Sequence, residues 1–386
     1  MKNRKNLGIN SKLNHPETPE LVQGNRPLIS PIYHSAKFTP SEDHPYWDQF
    51  MYSRVANPTN RELEMTLAEL QKREDCLVVA SGIAALTGVF LSLLKSGDHI
   101  ITFRELYKPS RIFIRDYLPR YNIEHSLLTL TQLKDLEAAI IPGKTKLIHF
   151  ESPTNPNLEI ADIEYILKIA KKHGVLVSMD GTFAGLHQHT QFDVDIMIHS
   201  LTKYGNGHGD VIAGCISGRK ELMKTVRDVG LYLGAHLDPQ AAGLIQRGLK
   251  TYMLRYERQT QTAAKIAHFL SQHPRVKKVY YPGLENHRHH ELAKKQMSDM
   301  GAVVSFEILP EVAANAAKFC HSLELIFLTA SVGSTESIIC PTLMFFGTDL
   351  PESEREGMGM NAYSVRLSVG LEDADDLIED LNKALG

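Results

Sequence analysis

Between residues 60 and 240 the apolar positions follow two alternating rhythms. Leu63, Leu67 and Leu70 recur at three- and four-residue spacing, which predicts a helix over residues 61–72 with one buried face. The short apolar run 76–80 predicts a strand, and 83–94 predicts a buried helix. Residues 99–103 and 147–150 read as two more strands. Residues 163–173 have helical spacing and stop at Gly174, a residue that tolerates the left-handed backbone of a helix end. The runs 175–179, 194–198 and 211–216 complete the strand set. Strands alternating with helices in this way predict an α/β fold, a mostly parallel sheet with helices on both faces. In such sheets ligands bind where the strands end. Ser81-Gly82, residues 151–155, Asp180 and residues 200–203 all fall at such ends.

The texture changes near residue 240. Residues 241–270 predict one long helix broken near Gly248. Strands are expected over 276–280, 301–308 and 364–369, and a final helix over 374–385. The chain therefore divides into three expected parts. An extended arm, 1–50, is marked by Pro16, Pro19, Pro27, Pro31, Pro40 and Pro45. An α/β domain follows over 51–240, and a smaller α+β domain over 241–386.

Composition narrows the class without naming a chemistry. The chain has 386 residues, 43% apolar and 23% charged, enough to bury a sizeable core. A formal charge of −3 gives no electrostatic case for nucleic acid or an anionic membrane. The basic start, residues 1–6, is followed by no apolar stretch, so no secretory signal is expected. The longest apolar stretch, 84–94, is too short to span a bilayer. Cys76, Cys215, Cys320 and Cys340 are widely spaced, which points to buried thiols in a reducing cytoplasm. His287-Arg288-His289-His290 has poor ligand spacing and reads as a surface turn and helix start, so no metal is expected.

The candidate chemistry centres on Lys203, in the run His199-Ser200-Leu201-Thr202-Lys203-Tyr204-Gly205-Asn206-Gly207. Two hydroxyls precede the lysine, and Asp180 ends a strand 23 residues upstream. A lysine amine for an aldehyde, a carboxylate for a pyridinium nitrogen and hydroxyls for a phosphate are what pyridoxal 5′-phosphate (PLP) requires of a protein. Ser200 and Thr202 alternate with Leu201, so an extended backbone points both hydroxyls one way, whether to a phosphate or to the next turn. Gly82 and Ile83 start a helix whose free N–H groups suit a phosphate. Asp180 reads either as a helix cap or as the group keeping a ring nitrogen protonated. Tyr107 lies in the loop after a strand, placed to pack or to stack on a flat ring. Asn155 reads as a turn residue or a donor to a phenolic oxygen. Arg366, within an alternating strand, reads as a surface residue or a carboxylate clamp.

Together these residues resemble the Cys/Met-metabolism PLP-dependent enzymes, the group of cystathionine γ-synthase, the cystathionine lyases, methionine γ-lyase and the O-acylhomoserine sulfhydrylases. The landmarks are Tyr52-Ser53-Arg54 with Asn57-Pro58-Thr59, Ser81-Gly82, residues 151–156, 180–184, 200–210, 247–251, 281–284 and 365–372. The resemblance implies a PLP-dependent transferase fold of type I and a homotetramer of two active dimers. It makes Lys203 the PLP-bearing lysine and Cα proton shuttle, with Asp180 on the ring nitrogen and Tyr107 on the ring face. It gives the phosphate to Gly82, Ile83, Ser200 and Thr202. It assigns Asn155 to the phenolic oxygen, Arg366 to the substrate carboxylate and Ser331 to a place near the lysine. Tyr52 and Arg54 would enter from a neighbouring subunit, Arg54 to the phosphate and Tyr52 near the substrate.

Several positions depart from the family pattern. Lys108-Pro109-Ser110 stands where many members have a Gly-Gly-Thr type run. Pro109 occupies the region of a cysteine typical of methionine γ-lyases, which argues against that activity. Ala330 precedes the serine where many cystathionine-handling members carry glutamate or tyrosine, and Met344-Phe345-Phe346 replaces a Met-Thr-His run. The expected activity is C–S cleavage of cystathionine or a related thioether amino acid by elimination. The alternative is γ-replacement on an O-acylhomoserine, and a third reading is an aminotransferase on the same fold.

Overall fold

Seven short runs assemble into one sheet: β1 (Asp75–Val79), β2 (His99–Phe103), β3 (Glu124–Leu128), β4 (Thr145–Glu151), β5 (Leu176–Asp180), β6 (Ile196–Ser200) and β7 (Gly214–Gly218). The computed structural model describes residues 27–44 and 49–386. The basic start and much of the arm expected over 1–50 lie outside the described residues. Chain contacts group Tyr33–Gly386 as one unit and Met1–Ile32 as another. Of the latter, residues 27–32 are described, and they form neither helix nor strand.

The strand order is β1-β7-β6-β5-β4-β2-β3. The pairs from β6 to β3 are parallel, while β7 runs antiparallel to both β1 and β6. The reversal has a simple cause. The segment from Ser200 to Gly214 carries no helix, so the chain returns beside β6 without a crossover. The strand expected over 211–216 begins only at Gly214. A Cβ there would come within 2.3 Å of the Ser81 carbonyl oxygen, so glycine permits the close approach of β7 to the β1 exit. β3 escaped the sequence reading because its start, Glu124-His125-Ser126, is polar, as suits an edge strand.

Caps set the helix boundaries more than apolar spacing does. The first helix runs Pro58–Leu70 rather than 61–72, because the Asn57 side chain accepts from the Thr59 N–H and Pro58 suits the first turn. Ser81 caps Gly82–Leu93 by accepting from the Ala84 N–H at 3.0 Å. Ile163–His173 is capped by Asp162 and ends at Gly174 with φ of 64°. Leu86, Val89 and Phe90 of the Gly82–Leu93 helix pack with Ile196, Ile198 and Ile216 of the sheet.

The second sheet contains β8 (Val276–Tyr280), β9 (Val303–Ile308), β10 (Phe327–Leu328), β11 (Ile338–Pro341) and β12 (Ser364–Ser368), in the order β10-β11-β12-β9-β8. Its core joins Ile266 and Leu270 to Phe306, Phe319, Leu377 and Leu381. The helix expected over 241–270 with a break near Gly248 forms as two helices, Pro239–Leu249 and Tyr252–Gln272. Gly248 lies against the Asn206 carbonyl oxygen, 2.3 Å from where a Cβ would stand, so the first helix packs directly on the loop after Lys203.

Candidate active site

The carboxyl ends of the parallel strands, together with residues 330–332 between β10 and β11, Phe346 after β11 and Arg366 of β12, surround one cavity of about 310 Å³. Gly82, Ile83, Tyr107, Asn155, Asp180, Ser200, Thr202, Lys203, Ser331 and Arg366 all line it. Residues more than 280 positions apart in the chain are thereby brought to one cavity.

Lys203 follows β6, and its Nζ donates to Ser331 Oγ at 2.8 Å. Burial, then the nearby Arg366 charge, pulls the amine down to about 8. Asp180 ends β5 and accepts from the Thr182 N–H at 2.9 Å. Burial raises its carboxyl above the usual range. Its neighbour in register on β4 is Glu151, a buried carboxyl pushed up strongly by burial and then by the Asp180 charge. Glu151 Oε1 accepts the Tyr107 N–H at 2.5 Å, which ties the Tyr107 backbone to the strand end.

Arg366, on β12, is 3% exposed. Its Nη1 donates to Asn155 Oδ1 at 2.7 Å and its Nη2 to the Ser331 carbonyl at 2.9 Å. The guanidinium lies 4.3 Å from the Phe346 ring centre and 5.4 Å from that of Phe183. Asn155 spends its oxygen on Arg366, so its NH₂ is the part left to meet a ligand.

Also lining the cavity, Gly82 packs on Ser200: a Cβ on Gly82 would stand 2.8 Å from Ser200 Cβ and 3.1 Å from its Oγ. The first N–H groups of the Gly82–Leu93 helix have no partner within the helix. Thr182 Oγ1 accepts the Ser200 N–H at 2.9 Å, and the Thr202 hydroxyl exchanges bonds with the Ala213 backbone.

Tyr52 and Arg54 are not brought to this cavity within their own chain. Arg54 donates to the Leu231 carbonyl at 3.2 Å, lies 5.6 Å from the Tyr52 ring centre, and lines a separate cavity with Asn57, Arg61 and Glu64. His289 and His290 engage the Ile160 N–H and the Pro282 carbonyl, and His290 opens the helix His290–Gln296. All four cysteines are buried free thiols. Among the described residues no helix is long and apolar enough to cross a membrane.

Glu151, Thr182, Phe183 and Phe346 were not assigned roles from sequence. Glu151 and Thr182 had a usable signal, since both adjoin predicted strand ends. Phe183 falls in the 180–184 landmark and Phe346 in a departure from the family pattern, but only packing shows both rings against Arg366.

The cavity fits PLP. Its lining offers a helix N-terminus with nearby hydroxyls and a lysine of lowered basicity. It also holds a carboxyl whose ionised form needs a cationic partner. A model of the family described as Cys/Met metabolism PLP-dependent enzyme matches residues 16–386. The chain belongs to that family.

This Cys/Met-metabolism enzyme therefore uses PLP as its cofactor. It is 43% identical over 338 residues to cystathionine gamma-synthase 1, chloroplastic, of Arabidopsis thaliana, covering 87% of this chain and 60% of the plant protein. The chain thus spans less than two thirds of that relative's length. It is 37% identical over 393 residues to the L-methionine gamma-lyase of Fusobacterium nucleatum subsp. polymorphum, covering 99% of this chain and 98% of the relative. The solved cystathionine gamma-lyase from Lactobacillus plantarum, complexed with L-serine, superposes with a TM-score of 0.87 at 37% identity, covering 92% of both chains.

Proposed function

We propose that this enzyme cleaves the C–S bond of cystathionine or a related thioether amino acid by elimination. With water, the products are a thiol, a 2-oxo acid and ammonia. One observation carries the reading: the Lys203 amine, the Asp180 carboxyl and the Arg366 guanidinium converge on one cavity, with Lys203 lowered to about 8.

When bound, PLP withdraws electrons from the substrate Cα bond through its protonated ring. Gly82, Ile83, Ser200 and Thr202 would hold its phosphate, Asp180 its ring nitrogen, Asn155 its phenolic oxygen and Tyr107 its ring face. Arg366 would donate to the substrate carboxylate in a bidentate pair, which orients the Cα proton. Lys203, whose amine is lowered to about 8 so that a sizeable fraction is unprotonated near neutral pH, takes that proton and returns it as the thiol leaves. Ser331 holds the amine between these events. The rings of Phe183 and Phe346, with Ile212 and Val332, provide an apolar wall for a thioether side chain.

A second reading is γ-replacement on an O-acylhomoserine, favoured by the 43% identity to a cystathionine gamma-synthase. Both readings use the same residues for the first proton transfer. Homotetramer assembly, with Tyr52 and Arg54 of a second copy completing the site, belongs to the proposal. Its support is that both residues stand outside the cavity of their own chain, with Tyr52 exposed.

Purified enzyme given cystathionine, or O-succinylhomoserine with cysteine, separates the readings. Keto acid and thiol released from cystathionine support elimination. Thioether formation without keto acid replaces it with the second reading. Lys203→Ala should lose both the visible band of bound PLP and turnover.

A further inference from the structure

Arg111 stands four residues after Tyr107 and is 1% exposed, yet it lines no part of the cavity. A buried guanidinium costs several kcal/mol unless each of its five N–H donors is satisfied. All five are. Nε donates to Asp349 Oδ2 at 3.0 Å, and Nη2 to Asp349 Oδ1 at 2.7 Å. Nη2 also reaches the Phe346 carbonyl at 2.8 Å. Nη1 donates to the carbonyls of Arg104 and Leu106, both at 2.9 Å.

These partners fall in two groups. Arg104 and Leu106 belong to the segment leading into Tyr107, whose N–H is held by Glu151. Phe346 and Asp349 belong to the segment after β11, and the Phe346 ring covers Arg366. One planar fork thus fixes the backbone just before Tyr107 and the backbone of Phe346 against each other. Lysine, a flexible point charge, cannot reproduce five directed bonds. The neighbouring Arg115 also meets Asp349, donating to its carbonyl at 3.0 Å and lying 3.4 Å from its Oδ2. But Arg115 is partly exposed, and its hydrogen bonds go to Asp116 and Asp349, not to Leu106 or Phe346.

We propose that Arg111 is a positioning residue that couples Tyr107 to the Arg366 carboxylate clamp through the Asp349 and Phe346 contacts. The proposal rests on the PLP-site reading above. Its signature is joint loss: loosening the fork weakens the grip on PLP and the grip on a substrate carboxylate together. A merely stabilising ion pair lowers the melting temperature and leaves both affinities in place.

The test titrates apo protein with PLP, and holoenzyme with L-alanine as a carboxylate probe, both read in the visible band. Wild type, Arg111→Lys, Asp349→Asn and Arg115→Ala are compared, with melting temperatures alongside. Arg111→Lys and Asp349→Asn should each raise both dissociation constants at least about fivefold, as expected for loss of charge-assisted bonds. Arg115→Ala should lower the melting temperature and leave both constants within about twofold. Folded Arg111→Lys and Asp349→Asn proteins that bind both ligands like wild type overturn the coupling, as does weakening of one ligand only. Asp349→Asn keeps the Oδ1 acceptor and the side-chain shape. If both variants nevertheless fail to fold, the role is structural and the proposal falls. Wild type failing to bind PLP would instead overturn the site reading, and the coupling with it.

Discussion

The lowered basicity of Lys203 is open to direct measurement. Its amine sits at about 8 rather than 10.5, chiefly because burial penalises the ammonium and secondarily because Arg366 repels it. At pH 7.5 an amine with a pKa of 8 is about one quarter neutral, whereas one at 10.5 is about 0.1% neutral. The fold therefore raises the free amine on the order of 200-fold, an effect of about 3 kcal/mol before screening by water in the cavity. Trace acetylation of apo protein across pH 6 to 11, quantified on the Lys203 peptide by mass spectrometry, reads this without cofactor or substrate. The labelling rate should inflect near pH 8 in wild type. Arg366→Gln removes the secondary cause and should move the inflection upward, short of 10.5 because burial remains. An inflection at pH 10 or above in wild type would refute the reasoning, since a solvated lysine would then occupy the site.

Other outcomes follow from single contacts. Gly82→Ala pushes a methyl to 2.8 Å from Ser200 Cβ, an overpacking worth about 1–3 kcal/mol against about 1 kcal/mol gained in helix propensity. PLP affinity, measured by titrating apo protein, should fall at least about tenfold. An unchanged affinity would place the phosphate elsewhere. Burial holds the histidines His149 and His199 at about 3 in the fold, against 6.5 ordinarily. The unfolded chain alone protonates them below pH 6.5, so stability is full above that pH and declines as pH falls toward 3. At pH 5 each costs about 2 kcal/mol, and His149→Gln should flatten the fall in unfolding free energy between pH 7.5 and 5 by that amount; an equal slope counts against it. Arg227 donates to Glu64 and Asp75 at 2.9 Å each, and Arg227→Met should destabilise by about 3 kcal/mol in denaturant unfolding. A loss below about 1 kcal/mol would mean that Arg61 compensates alone.

Much of the fold was legible because local rules govern it. Residues 163–173 end where Gly174 takes a positive φ, and 99–103, 276–280 and 374–385 form at the limits their apolar spacing predicts. Boundaries slipped where a cap outranked the spacing, as at Asn57-Pro58, or where sheet contacts placed the strand, as at Gly214. Lys203 and Asp180 were readable because strand ends have a chemical address in an α/β sheet. Sequence alone thus determined the strand–helix alternation, the lysine and carboxylate at strand ends, and the family pattern they compose. Tertiary structure decided the rest: the pairing of Glu151 with Asp180, the stacking of Phe346 on Arg366, and the five-bond fork of Arg111. These joinings link residues up to 238 positions apart. Each depends on strand register or on packing between elements distant in sequence, and a buried guanidinium is tolerated only where that packing supplies its partners, so none leaves a trace in local spacing.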